Sequence, residues 1–441
     1  MAFKKISIAI SLCFIVNAGF SQELLTLEES INLALENNYN IKLEKYNVEI
    51  NENNVSRAVS GQMPELALNS SFEWGYAEAE TQTLALTPGE GDNAPIELDG
   101  TSRDLTLQPQ ISIPIFEGFK GKYRFKQLEN TYQMSELQLA RVTEETITGT
   151  VSAYLEVARL QSRLAIDEEN IAISYDRWQR LIEDAKFGTA NSVTRLQAEV
   201  DLKTDSANYR NTLLIFENSL RNLNLVMVQP LDEIFTVQEN ILLSNDLQYA
   251  QLEEEMRISN TRLNLSLGEI NNATYEVKIS ESSYFPSIQG YANYTYFDTE
   301  DDASFIQSNN LYGPNVGVSL RWPVFTGGAN RIQRQNSQIR LDQQKAALDN
   351  TSLNLEKELR NAFAQYMNNK AQLRIEESNL ETFERNYRKT REDHSLGLVD
   401  ASDLRTAQLN LSSAKNRIND LTYNVKQSEI ILLQLSGRLT K

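Results

Sequence analysis

The chain has 441 residues, a formal net charge of −18, one cysteine and one histidine. A chain this acidic, with no basic patch, is not built to bind nucleic acid. A single His394 and a single Cys13 leave almost no imidazole or thiolate for a metal centre, so no cofactor, metal or catalytic group is expected and the chain does not read as an enzyme.

The first residues carry Lys4 and Lys5, an apolar run from Ile6 to Val16, and the small-residue stretch Asn17-Ala18-Gly19-Phe20-Ser21. This is the pattern of a secretory signal peptide over residues 1–21, too short to span a bilayer, which takes ~20 apolar residues. Cys13 lies inside it behind Ser11-Leu12, without the small residue that precedes a lipid-modified cysteine. No later run is long and apolar enough for a transmembrane helix. A secreted chain of this kind can still cross a membrane as a closed β-barrel.

Thr26, followed three residues later by Glu29, is a capping-box signal, and a helical pattern continues through Ile31, Leu35, Ile41 and Tyr46 toward Val59. Pro64 ends it. Leu66, Leu68, Ser70, Phe72, Trp74 and Tyr76 then alternate with Ala67, Asn69, Ser71, Glu73 and Gly75, which predicts a strand over about 65–78 with one apolar, aromatic-tipped face. After an acidic, Gly- and Pro-rich loop, a second strand is expected over about 104–116. A helical pattern without proline then runs from 118 to about 186 and turns near Gly188, and a returning helix continues to about 228.

The second half repeats the scheme: strands over about 287–297 and 315–325, a long helix from 327 to about 395, a turn at Gly397, and a returning helix to about 437. Pro114-Ile115-Phe116-Glu117-Gly118 is answered by Pro323-Val324-Phe325-Thr326-Gly327, and Gly188 by Gly397, each pair 209 positions apart. The expected organisation is therefore a first structural repeat over 22–230 and a second over 231–441. Helices of some 69 residues would each reach roughly 100 Å, and the spacing of Leu355, Leu359, Ala362, Tyr366, Leu373 and Leu380 is that of a coiled coil. Charged runs such as Glu144-Glu145, Asp167-Glu168-Glu169 and Glu376-Glu377 are expected to be solvated faces or lumen lining.

Four strands per chain cannot close a transmembrane barrel, for which about eight is the minimum, whereas three chains supply twelve. In such a barrel Trp74, Tyr76, Tyr294, Tyr296 and Trp322 suit the aromatic girdles at the lipid interfaces, and Glu73, Gln108, Gln110 and Arg321 face a wet lumen.

Over its whole mature length the sequence resembles the TolC-type outer membrane efflux protein family. The residues that carry the resemblance are Leu25–Ser30 with Leu33–Asn38, the strand exits Pro114–Phe119 and Pro323–Gly328, and the turn motifs Phe187-Gly188-Thr189 and Leu396–Leu404. The resemblance implies an α+β membrane protein: a homotrimer whose 12-stranded β-barrel, four strands per chain, continues into a 12-helix periplasmic α-barrel. It implies an outer-membrane exit duct for an inner-membrane pump, joined by a periplasmic adaptor at the tips Phe187, Gly188, Thr189, Leu396, Gly397 and Leu398. By the same resemblance Asp403, six residues past Gly397, is a candidate for a pore constriction. The family's next acidic position, nine past the glycine, is Thr406 here, with Asp400 as the candidate substitute. Asp400 and Asp403 also suit an ordinary helix cap, and both readings stay open. The alternative from another class is a soluble periplasmic coiled-coil scaffold or adaptor.

Overall fold

The computed structural model describes residues 24–81, 96–186, 191–239, 243, 247–302 and 306–439. In chain order the elements are β1 (Leu24–Leu25), α1 (Leu27–Asn37), α2 (Tyr39–Asn54), β2 (Glu65–Thr81), β3 (Ile96–Glu117), α3 (Lys120–Lys186), α4 (Ser192–Met227), β4 (Thr236–Val237), α5 (Tyr249–Ser259), α6 (Thr261–Ser282), β5 (Ser287–Asp301), β6 (Ser308–Arg321), α7 (Ala329–Ser395) and α8 (Ala401–Ser436). The long helices α3 and α7 each have 67 residues, and the returning helices α4 and α8 each have 36.

The two expected long helices start and stop within two residues of the sequence reading, because proline-free periodic sequence and a glycine turn are local signals. Three expectations need correction. The helix that starts at the Thr26–Glu29 capping box does not run to Val59: it breaks at Asn38, whose side chain accepts hydrogen bonds from the N–H groups of Asn40 and Ile41 and so starts a new helix. The strands also extend into the acidic segments, with β3 beginning at Ile96 and β5 reaching Asp301, because ladder pairing continues there. Conversely, β6 ends at Arg321, and Pro323 to Phe325 lie outside it. The signal peptide and the first turn, Phe187-Gly188-Thr189, lie outside the described residues.

By internal contacts the chain divides into two compact units. The first comprises Met1–Lys42, Val142–Ile258 and Lys357–Lys441. Its apolar core gathers Val151, Tyr154, Val157 and Ala158 of α3, Leu220, Leu223 and Met227 of α4, Phe235 and Val237 around β4, and Tyr423 and Ile430 of α8. The Tyr154 hydroxyl sits at its edge, donating to the carbonyls of Leu25 (3.0 Å) or Gln238 (3.2 Å) and accepting from the N–H of Gln238 (3.0 Å). It thereby ties β1, which pairs in parallel with β4, to the long helix. Burial pushes this phenol up to about 12, so it remains a hydrogen-bond donor.

The second unit, Leu43–Arg141 and Ser259–Glu356, holds a four-stranded sheet of order β2-β3-β5-β6, antiparallel throughout. The β3–β5 register shifts between Pro114 and Phe116, where proline has no N–H to give the ladder.

The chain passes from β3 into α3, and from β6 into α7, through two consecutive left-handed residues: Gly118 and Phe119 after β3 (φ 61° and 67°), and Gly327 and Gly328 after β6 (φ 62° and 89°). Phe119 holds this conformation, costly for a bulky residue, while packed edge-on against Phe116 and Phe285 at 5.3 and 6.2 Å between ring centroids.

Candidate functional site

The sheet of the second unit has two unlike faces. Register pairs such as Leu66–Ile111, Ser70–Leu107, Leu107–Tyr296 and Tyr296–Tyr312 put Leu66, Leu68, Phe72, Trp74 and Tyr76 on the same face as Ile111, Tyr294, Tyr296, Val316 and Val318. That face is apolar and exposed, and four of the five predicted interface aromatics lie on it. The fifth, Trp322, follows the end of β6, is also exposed, and donates its indole N–H to the carbonyl of Tyr284 (3.2 Å). The opposite face carries Asn69, Ser71, Gln108, Gln110, Asn293, Thr295 and Asn315, with Gln108 donating to Thr295 (3.1 Å). Glu73, facing Asp104 in register, and Arg321 lie on this polar face as expected.

The turn between α7 and α8 belongs to the first unit. Gly397 has φ 72°, its N–H donates to the carbonyl of His394 (3.0 Å), and the Leu398 N–H donates to that of Asp393 (2.9 Å). This is a Schellman closure, which requires a left-handed residue. Leu396 and Leu398 flank it with their side chains exposed. Asp400 is the cap of α8: its Oδ1 accepts from the N–H groups of Ser402 (2.8 Å) and Asp403 (2.9 Å). Asp403 lies in the first turn, exposed, where the helix dipole favours a negative charge. The two carboxylates therefore have different jobs in this conformation. Asp400 is spent on the backbone, and Asp403 stands free of any ion pair among the described residues.

Beneath this turn lies an ionic cluster that periodicity did not reveal. Arg405 of α8 makes a bidentate contact with Asp205 of α4 (Nη2–Oδ1 2.7 Å, Nη1–Oδ2 2.8 Å) and stands 3.9 Å from Asp201. Ser174 of α3 donates to Asp205, and Arg177 of α3 to Asp201. All four charged side chains are buried or nearly so. Burial is the largest single influence on Arg405 and opposes its charge, yet the hydrogen bonds and charge of Asp205, with Asp201, raise its pKa overall. At Arg177 burial wins, aided by repulsion from Arg405, and its pKa is lowered. The hint in the sequence was two arginines and two aspartates on three helical segments.

Two further carboxylates depart from expectation: Glu144 and Asp167, read as parts of runs on solvated faces or lumen lining, are buried within the chain, and Asp167 accepts from Thr212 at 2.7 Å. The segment Gln229–Ile234 is pinned to α4 by Asn224, which donates to the carbonyls of Leu231 and Glu233.

The sequence profile of the outer membrane efflux proteins matches residues 30–226 and 252–438. The chain belongs to this family. It is 20% identical over 429 residues to the outer membrane efflux protein BepC of Brucella suis biovar 1 (strain 1330), covering 94% of this chain and 86% of that protein. The fold is that of solved channels. The Campylobacter jejuni CmeC outer membrane channel superposes with a TM-score of 0.72 at 16% identity, covering 93% of this chain and 85% of that one. VceC of Vibrio cholerae superposes with a TM-score of 0.73 at 15% identity, covering 93% and 96%. This efflux protein is an exit duct of the outer membrane with a periplasmic extension, and its family is one of transport channels rather than enzymes.

Proposed function

We propose that three copies of this efflux protein close one 12-stranded barrel, and that their helical hairpins form a 12-helix periplasmic conduit gated at the tips. The observation that carries this reading is the sheet itself. Four strands end in two open edges, β2 and β6, with an apolar aromatic face on one side and an amide-lined face on the other. One such sheet cannot close, and in a bilayer an open edge leaves backbone groups without partners. The two-repeat organisation, 22–230 and 231–441 behind a 1–21 leader, suits such a ring, because hairpins of equal length bring all tips to one level.

In this reading Trp74, Tyr76, Tyr294, Tyr296 and Trp322 meet outer-membrane lipid at its two interfaces, and Glu73, Gln108, Gln110 and Arg321 line the lumen. Cargo arrives from an inner-membrane pump through a periplasmic adaptor that contacts the turns at Phe187, Gly188, Thr189, Leu396, Gly397 and Leu398. Asp403, free and exposed beside the turn, forms a threefold ring of negative charge that favours cations. Asp400 serves that ring indirectly, by fixing the start of α8.

Fractionation followed by planar-bilayer recording tests this. The expected result is a detergent-extracted trimer from the outer membrane with cation-preferring conductance. Recovery as a soluble periplasmic monomer without conductance overturns it.

A further inference from the structure

Charge is segregated along the sheet of the second unit. At the end away from the long helices, Glu78 faces Asp99 and Glu73 faces Asp104 in register, and Asp298 and Glu300 share Arg103 (3.7 and 3.0 Å). Where β3 and β6 run on into the long helices the sign reverses. After Glu117, α3 opens with Lys120, Lys122, Arg124 and Lys126 and meets no acid before Glu129, while Arg321 and Arg331 bracket the entry to α7, with no acid before Asp342. The two stretches lie about 200 positions apart in a chain of 60 acidic and 42 basic residues, so neither stood out as a basic patch in the sequence. Because β5 runs antiparallel to both β3 and β6, the fold brings them to one end of the sheet.

All six cations are exposed, and among the described residues none has an ion-pair partner. Helix geometry separates those on α3 into two faces. The Gly121 carbonyl accepts from Gln62 and the Asn130 side chain donates to the Gly268 carbonyl, both at 2.9 Å. Nine positions at 100° each put these neighbours on opposite sides of α3. Lys120 with Arg124, and Lys122 with Lys126, occupy the two faces left open. In a ring of helices one open face looks outward and the other inward, so a pair of cations looks outward in either orientation. Arg331 stands 209 positions after Lys122 and repeats one of these charges on α7.

The same end carries the marks of a membrane boundary. The apolar face of the sheet ends there with Leu66, Ile113 and Leu320, and Trp322 and Phe325 stand 57% and 87% exposed. Lys120 to Lys126 span about 9 Å of helix axis, and long basic side chains reach back toward an apolar surface. The headgroup zone beside a bilayer core is roughly 5–8 Å deep, so these cations lie at headgroup level.

We infer that this basic collar binds the headgroups of anionic phospholipids in the leaflet at the helix end of the barrel. The inference rests on the membrane-barrel reading above and adds the lipid class that the barrel selects. An acidic chain that gathers unpaired cations where its apolar face ends is complementary to negative lipid, and such cations act within a Debye length of the surface.

Reconstitution of the full chain tests this. The protein is mixed with vesicles of phosphatidylethanolamine alone, or of equal parts phosphatidylethanolamine and phosphatidylglycerol, and incorporation is checked by flotation. Protein extracted from the mixed vesicles in mild detergent is expected to retain lipid enriched in phosphatidylglycerol at least about fivefold, the factor one cation near an anionic surface supplies. High salt is expected to reduce that enrichment. Lys120→Gln, Lys122→Gln, Arg124→Gln and Lys126→Gln together are expected to abolish it. Arg374→Gln, Arg385→Gln, Arg388→Gln and Arg391→Gln together, far along α7, remove the same charge and are expected to preserve it. If the first quadruple variant does not incorporate, its two face pairs are tested separately, and at least one is expected to lower the enrichment. Enrichment that survives removal of the collar, or that both quadruple variants lose, overturns the inference. A protein that floats with both vesicles and shows no enrichment overturns it too, the collar then facing acids of a neighbouring copy, and leaves the barrel standing. A protein that floats with neither overturns both.

Discussion

Arg405 and Asp205, 200 residues apart in sequence, meet in a bidentate ion pair that joins α8 to α4 just beneath the Gly397 turn. The side chains are 13% and 6% exposed, so each depends on the other for charge compensation. Arg405→Ala strands a buried carboxylate, a change that costs about 3–5 kcal/mol. A clear fall in the helical melting temperature, followed by circular dichroism, is the expected result. Replacing both partners, Arg405→Met with Asp205→Leu, is expected to recover most of the loss, because no buried charge then lacks its partner. A single variant as stable as the parent would show the pair to be hydrated and weak.

Gly118 and Gly327 hold equivalent left-handed positions after β3 and β6 but differ in their surroundings. A Cβ on Gly118 would stand 2.5 Å from the Ser282 carbonyl oxygen and 2.9 Å from Phe285 Cβ, whereas a Cβ on Gly327 meets nothing within 4 Å. Within one copy Gly327→Ala therefore carries only the backbone term, about 1–2 kcal/mol, and is expected to disturb folding less than Gly118→Ala. Gly118→Ala adds a clash with backbone and is expected to lower the yield of folded protein in the outer membrane. Equal yields from the two variants would contradict this.

The capping box of α1 predicts a pH dependence of definite sign. Glu29 Oε2 accepts from the Thr26 N–H (2.9 Å) and hydroxyl (2.8 Å), and these bonds, the backbone one first, lower its pKa from the ordinary glutamate value. A carboxylate depressed on folding stabilises the fold above its unfolded pKa and loses that contribution as pH falls through the folded value. The melting difference between the parent and Glu29→Ala is therefore expected to be constant near neutrality and to shrink below about pH 4. A gap that widens on acidification would reverse the assignment.

Asp400 and Asp403 are separable by experiment. Asp400→Ala removes both hydrogen bonds at the start of α8, a capping loss of about 0.5–2 kcal/mol, and is expected to lower the melting temperature. Asp403→Asn keeps size and polarity while removing charge, so it is expected to leave the melt nearly unchanged and to reduce cation preference in planar bilayers. An unchanged reversal potential for Asp403→Asn would take this residue out of the constriction.

Much of this architecture was legible in the chain because its signals are local. The alternation from Leu66 to Tyr76, the absence of proline across α3 and α7, the Thr26–Glu29 box and the turn at Gly397 each depend on residues within a few positions of one another. The aromatic placement followed from the same alternation, since a strand turns every second side chain to one face.

The sequence by itself determined the lengths of the long helices, two of 67 residues and two returns of 36, set by periodicity and by where glycine and proline fall. Only the tertiary structure decided the contacts. The division of labour between Asp400 and Asp403, the left-handed Phe119 held by Phe116 and Phe285, the burial of Glu144 and Asp167, and the meeting of Arg405 with Asp205 all depend on which helix faces which. A side chain's charge is written in the sequence, but its solvation and its partner are set by elements that approach from hundreds of residues away.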